Sequence, residues 1–134
     1  MKSVFADTFH FLALLKADDP YHSRAVELHR VRWRTLVTTD CVLLETGDAC
    51  CEPQDHGDFL ALYDSLPRDS RVEIVRLTPE LLERGVTLFR SREDKNWPLT
   101  DCISFVVMEH HGLSDALTAD RHFEQAGCKA LLAS

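Results

Sequence analysis

Lys2-Ser3-Val4-Phe5-Ala6-Asp7-Thr8 reads as a short buried strand that runs straight into the start of a helix. Val4, Phe5 and Ala6 form an apolar run too short for a helix of its own. Asp7 and Thr8 then bring N-cap chemistry to a segment carrying Phe9, Leu12, Leu14 and Leu15. The same succession returns near the other end of the chain. Ala116-Leu117-Thr118-Ala119 reads as a strand, Asp120 closes it, and a short helix from Arg121 to Ala126 precedes a last strand over Lys129 to Leu132.

The chain between these two units repeats the alternation. Asp18-Asp19-Pro20 breaks the first helix, and a second is predicted from about Tyr21 to Arg34, with Ala25, Leu28 and Val31 one turn apart and basic residues on its outer face. Thr35-Leu36-Val37-Thr38 is a β-branched interior strand, after which Thr39 or Asp40 caps a helix containing Glu45. Pro53 marks a loop, and Phe59, Leu60, Leu62 and Tyr63 belong to a helix ending near Pro67. Val72-Glu73-Ile74-Val75 is a further strand. Thr78-Pro79-Glu80 opens a helix through Leu81, Leu82, Val86 and Leu88, with Pro79 at the favoured first position. The polar stretch Ser91 to Asn96 is the candidate mobile loop, and a strongly apolar helix runs from about Thr100 to His111, stopped by Gly112.

Strands alternating with helices throughout predict a three-layer α/β/α sandwich around a central, mostly parallel sheet of about five strands. The length of 134 residues predicts a single domain over 1–134. Fifteen basic against 22 acidic residues give a net charge of −7, which argues against a protein that coats nucleic acid or membrane by bulk positive charge. An enzyme that binds RNA locally stays open. Cys41, Cys50, Cys51, Cys102 and Cys128 show neither an even disulfide framework nor a Cys-x-x-Cys spacing, and read as buried, reduced thiols of a cytoplasmic protein. No apolar stretch approaches the length of a membrane span, so no membrane association is expected.

Four acids stand in or beside apolar stretches where a carboxylate is unwelcome. Asp7 ends the first strand, Glu45 follows Cys41-Val42-Leu43-Leu44, Asp101 opens Cys102-Ile103-Ser104-Phe105-Val106-Val107-Met108, and Asp120 ends Ala116-Leu117-Thr118-Ala119. Each alone has a structural explanation: Asp7 and Asp120 as helix caps, Asp101 at the positive end of a helix dipole, Glu45 on a solvated flank. As a set from four separated segments they point to an oxygen-ligand site for Mg²⁺ or Mn²⁺. Asp7 and Asp120 both fall at the carboxyl ends of strands, where sheets of this class bind ligands.

Val4-Phe5-Ala6-Asp7-Thr8, Thr38-Thr39-Asp40-Cys41-Val42-Leu43-Leu44-Glu45, Trp97-Pro98-Leu99-Thr100-Asp101-Cys102-Ile103-Ser104-Phe105 and Ala116-Leu117-Thr118-Ala119-Asp120-Arg121-His122-Phe123 together resemble the PIN-domain family, which includes the VapC-type toxins. The resemblance spans nearly the whole chain. It implies a metal-dependent nuclease acting on RNA, with Asp7, Glu45, Asp101 and Asp120 as the acidic centre. It also implies a homodimer and a small antitoxin protein as partner, the chain being the toxin of such a pair. Pro98 departs from the pattern, since relatives often carry a Ser able to cap the helix there.

Phosphodiester hydrolysis needs a nucleophilic water and stabilised charge on the phosphate and leaving oxygen, which one or two divalent ions supply. Asp7, Asp101 and Asp120 are the expected ligands, and Glu45 either ligates or orients the water. Thr8, Thr100 and Thr118 are expected to hydrogen-bond the carboxylates or contact phosphate. Arg90, Arg92, Lys95 and Arg121 are the candidate RNA contacts, Trp97 beside Pro98 either a base-stacking platform or a packing residue, and His122 a residue placed for structure or acid–base chemistry. Two alternatives stand beside this reading. One is a non-catalytic PIN module that binds RNA or a protein through the same surface. The other is a metal-dependent phosphatase, which the motif disfavours because Phe9 occupies the place of the second acid in an Asp-x-Asp.

Overall fold

A computed structural model describes residues 2–133. Five strands form one sheet: β1 (Val4–Ala6), β2 (Leu36–Thr39), β3 (Val72–Val75), β4 (Asp115–Leu117) and β5 (Lys129–Ala130). Their spatial order is β3-β2-β1-β4-β5, and all four pairings are parallel. The connections carry α1 (Thr8–Leu15), α2 (His22–His29), α3 (Asp40–Ala49), α4 (Pro53–Ser65), α5 (Pro79–Ser91), α6 (Leu99–His110) and α7 (Arg121–Gln125). The chain thus winds outward from β1 to β3, then crosses back to β4 and β5. Because parallel crossovers are right-handed, the two directions of winding place their helices on opposite faces. The sheet is flanked by helices as the alternation predicts.

β1 sits at the centre with Val4, Phe5 and Ala6 fully buried. Phe5 stacks 6.2 Å from Phe123 of α7, and Phe105 of α6 meets Phe123 edge-on at 4.9 Å, so α6 and α7 share one face. On α1, His10 is fully buried and shares a 3.0 Å hydrogen bond between its Nε2 and Nδ1 of His29 on α2. Burial, with His29 beside it, pushes His10 down to about 3, so the imidazole is neutral and joins the two helices without carrying a charge into the core.

Capping follows the sequence closely. Thr39 accepts from the Val42 amide at 3.0 Å at the start of α3, and Thr78 accepts from Leu81 at 3.1 Å with Pro79 at the first helical position. Gly112, at φ 65°, ends α6 in the left-handed conformation that favours glycine.

Four expectations are corrected. The second helix stops at His29 rather than near Arg34, because residues 30–34 form a folded turn. There, Trp33 buries its indole and donates from Nε1 to the Leu28 carbonyl at 2.8 Å. Pro53 opens α4 instead of marking a loop, its missing amide hydrogen being no loss at a helix start. The last strand ends at Ala130, and Leu131–Ala133 close the chain as a 3₁₀ turn. The cysteines are all unpaired, as expected, but of the five expected to be buried Cys50 and Cys102 are, Cys41 and Cys128 are half-buried, and Cys51 is exposed. Among the described residues no helix is long and apolar enough to cross a membrane.

Gly85 of α5 faces Ile103 of α6, where a Cβ would lie 2.5 Å from Ile103 Cγ1. Gly85→Ala gains about 1 kcal/mol of helix propensity but overpacks the contact by about 1–3 kcal/mol. The expected result is a net loss of stability, read as a lower thermal midpoint.

Candidate metal centre

β1 and β4 are neighbours in space but belong to the two opposite directions of winding, so the crevice of the sheet opens between their carboxyl ends. Asp7 leaves β1 and Asp120 follows β4 across this gap. α6 brings Asp101 in its first turn and α3 brings Glu45. The local sequence explains each placement: a short buried strand ends, and the first turn of a helix follows.

The side chains are joined by two threonines and one histidine. Thr118 Oγ1 donates to Asp7 Oδ2 at 3.0 Å and accepts from the Asp120 amide at 3.1 Å, tying the two strand ends together. Thr8 Oγ1 donates to Glu45 Oε1 at 2.5 Å. His122 Nδ1 lies 3.0 Å from Asp101 Oδ2 and 3.3 Å from Asp120 Oδ1, and donates its proton between the two carboxylates. Asp101, Asp120 and His122 offer ligand atoms all within 4.8 Å of one another.

Asp7 occupies the N-cap position of α1, yet its side chain makes no cap bond and is turned to Thr118 instead. A helix cap therefore does not account for it. Asp120 does both jobs, accepting from the His122 amide at 2.9 Å while one of its oxygens faces the cluster. Thr100 is half-buried, and its backbone carbonyl accepts from Ser104. Pro98 takes the N-cap position of α6 without a side-chain bond, and Asp101 is still buried and bonded to His122, so this departure leaves the carboxylate in place.

Asp7 is 4% exposed and Asp101 5%. Burial above all, then the neighbouring Asp101, pushes Asp7 from 3.8 to about 7, against the lowering pull of Thr118. Burial first, with Asp120 and Glu45 adding, raises Asp101 to about 6 despite the hydrogen bond from His122. None of the four acids is paired with a lysine or arginine among the described residues, and His122 is the one basic partner of Asp101 and Asp120. Asp101 and Asp120 are the two acids whose oxygens come within one ligand group, while Asp7 and Glu45 adjoin it through charge. Carboxylates with so little cationic compensation suit a hard divalent cation.

The basic residues expected at the rim divide. Arg92 forms a two-point pair with Asp94 (3.0 and 3.1 Å), and Lys95 lies 3.8 Å from the same acid, so the two cations share one carboxylate. Arg90 ends α5, and Arg121 opens α7 exposed beside Asp120. Trp97 is not a stacking platform: it is buried, donates to Gln125 at 3.0 Å, packs edge-on against Phe105, and carries Arg92 over its ring at 4.9 Å. Phe9 packs edge-on against Tyr21 at 5.0 Å, leaving no second acid beside Asp7 for aspartyl phosphatase chemistry. His122 is the residue undervalued in the sequence. The signal was its position two residues after Asp120, which a helix start turns back toward the strand end.

The PIN-domain family model matches residues 4–128. The chain belongs to the PIN-domain family. Among proteins similar to this PIN domain, the 23S rRNA-specific endonuclease VapC20 of Mycobacterium tuberculosis is 26% identical over 124 residues, covering 92% of this chain and 94% of the relative. The crystal structure of that Mycobacterium tuberculosis protein, described as a sarcin-ricin-loop-cleaving toxin, superposes with a TM-score of 0.84 at 25% identity, over 93% of this PIN domain and 95% of its own length. VapBC2 from Rickettsia felis, solved with a fragment of promoter DNA, shares the fold with a TM-score of 0.67 at 12% identity over 96% of each chain.

The sign of the pH dependence follows from the two raised carboxyls. Each binds its proton more tightly folded than unfolded, so it opposes folding once ionised. The penalty grows as pH rises from about 4 to about 7 and amounts to roughly 4 kcal/mol for Asp7. In chelator, Asp7→Asn is therefore expected to be more stable than the parent at pH 8 and to lose that advantage toward pH 4. Thermal melts across that range check it.

Proposed function

We propose that the protein is a metal-dependent endoribonuclease that hydrolyses phosphodiester bonds of RNA, with Asp7, Glu45, Asp101 and Asp120 as its catalytic and metal-binding residues. Mg²⁺ or Mn²⁺ is the ion that suits this oxygen-rich set. The observation that carries the reading is the burial of Asp7 and Asp101 against other carboxylates at the sheet's crevice, with His122 the one basic side chain paired to the acids among the described residues. The naming of VapC20 as an rRNA-specific endonuclease supports RNA as the substrate class. The toxin description of the VapC20 structure and the VapBC2 complex support a role as the toxin of a type II pair with an antitoxin protein as partner, and the family resemblance implies a homodimer.

A divalent ion bound here supplies Lewis acidity to the scissile phosphate and lowers the pKa of a bound water. Asp7, Asp101 and Asp120 hold that ion, directly or through water. Glu45, with Oε1 taken by Thr8, keeps Oε2 to align the attacking water. Thr118 fixes the rotamer of Asp7 and the backbone of Asp120 together, so the ligand geometry is set before substrate arrives. His122 keeps Asp101 and Asp120 from springing apart while the ion is absent.

Internal cleavage of RNA is expected with Mn²⁺ or Mg²⁺, to stop in chelator, and to fall more than about 100-fold in Asp101→Asn. Cleavage that survives both changes would remove this centre from the reaction. RNA binding without cleavage in any divalent ion would favour a non-catalytic PIN module. Thr118→Val is expected to keep the fold and weaken metal affinity about 10–100-fold, measured by calorimetric titration.

A further inference from the structure

The amino ends of the strands, opposite the acids, carry a different charge. Arg30, Arg32 and Arg34 lie on the turn between α2 and β2, and all three are exposed. Arg68 is exposed just before β3. Arg71 bridges the two segments, donating from Nη1 to the carbonyls of His29 (3.3 Å) and Val31 (2.7 Å) while its other nitrogens clasp Asp69. The Arg34 amide donates to the Lys2 carbonyl at 2.8 Å, which brings Lys2 alongside.

Two features separate this patch from a casual run of charge. The acids near it are already engaged: Asp69 with Arg71 and Asp115 with Lys2. By contrast, Arg30, Arg32, Arg34 and Arg68 enter no ion pair among the described residues. The turn is also held in shape. Trp33 is buried and bonded to the Leu28 carbonyl, and Arg71 occupies the carbonyls of residues 29 and 31. Alternate residues 30, 32 and 34 consequently project their guanidinium groups from a fixed backbone, in a protein whose net charge is −7.

We infer that this arginine turn, with Arg68, is a second RNA-binding surface that grips the phosphate backbone of a large substrate away from the cleavage centre. The inference rests on the ribonuclease reading for its choice of polyanion. Guanidinium groups on a preformed scaffold suit phosphate, and an acidic protein has particular need of a local basic footing to hold RNA. β2 alone separates the two edges by roughly 13 Å at 3.3 Å per residue, and the path around the helices is longer. A substrate must therefore be a folded or extended RNA to touch both, and a small phosphodiester reaches only the acids.

The test compares the full chain with a variant carrying Arg30→Ala, Arg32→Ala and Arg34→Ala, and with one carrying Lys at those three positions. Binding of a structured RNA is measured in chelator as a function of salt, and turnover of bis(4-nitrophenyl) phosphate is measured with Mn²⁺. The Ala variant is expected to bind RNA at least about 10-fold more weakly with a shallower salt dependence, to keep its thermal midpoint, and to turn over the small ester unchanged. The Lys variant is expected to retain most of the affinity. RNA affinity unchanged by the Ala substitutions overturns the proposal even if the protein cleaves RNA. Arginine-dependent RNA binding in a protein that cleaves neither substrate upholds the surface and overturns the ribonuclease reading alone. Binding of anionic phospholipid vesicles or an acidic polypeptide through these arginines, with no binding of RNA, overturns the surface as an RNA site.

Discussion

Negative charge packed out of water, with one imidazole to offset it, is the constraint around which this molecule is organised. A lone buried carboxylate is costly enough that proteins usually pair it or protonate it. Here the balance tips toward the second outcome for Asp7, whose carboxyl is pushed up to about 7 by burial first and by Asp101 beside it. The fold tolerates this because the expense is confined to one crevice and the surroundings are strongly apolar: β1 is fully buried, and α6 is buried along its whole length from Asp101 to Met108. The core supplies what the crevice withdraws.

The same constraint explains why the polar residues of the sheet lie where they do. Thr38, Thr39 and Thr118 are buried polar groups near strand ends, and each has a named partner: Thr38 donates to the Ala6 carbonyl, Thr39 caps α3, and Thr118 spans Asp7 and the Asp120 amide. A hydroxyl suits these places because it both donates and accepts. At 118 a valine of the same shape would leave the Asp7 carboxylate oxygen without its donor and the Asp120 amide without its acceptor.

Much of this was legible before any coordinates. Strand, acid, helix start is a local pattern, so the positions of Asp7 and Asp120 at one edge follow once the alternation of elements is read. The mutual approach of the acids is a property of strand order, which no local pattern carries; in the sequence it is implied only by the motif resemblance. What escaped were contacts between residues far apart in sequence. Trp97 beside Pro98 reads equally as a stacking platform or a packing residue, and Phe105 and Gln125, which decide for packing, lie at a distance in the sequence. Arg92 and Lys95 looked free until Asp94 folded between them. The second helix overran because Val31 keeps the helical spacing of Ala25 and Leu28, while the tryptophan and the distant Arg71 that halt it act through tertiary hydrogen bonds.

His122 shows how magnitude decides between two descriptions of one residue. As a structural group it only links α7 to α6. Yet its Nδ1 stands close to two carboxylates at once, and even this does not bring Asp101 down to an ordinary value, because burial outweighs the hydrogen bond. One ring nitrogen is thus too little to offset the cluster it sits in. A divalent cation would offset it further, and a cation close to Asp101 and Asp120 would compete with His122 for the same oxygens. The histidine is then best understood as a stand-in: it holds the ligands together at the separation they need, and does so weakly enough to yield them.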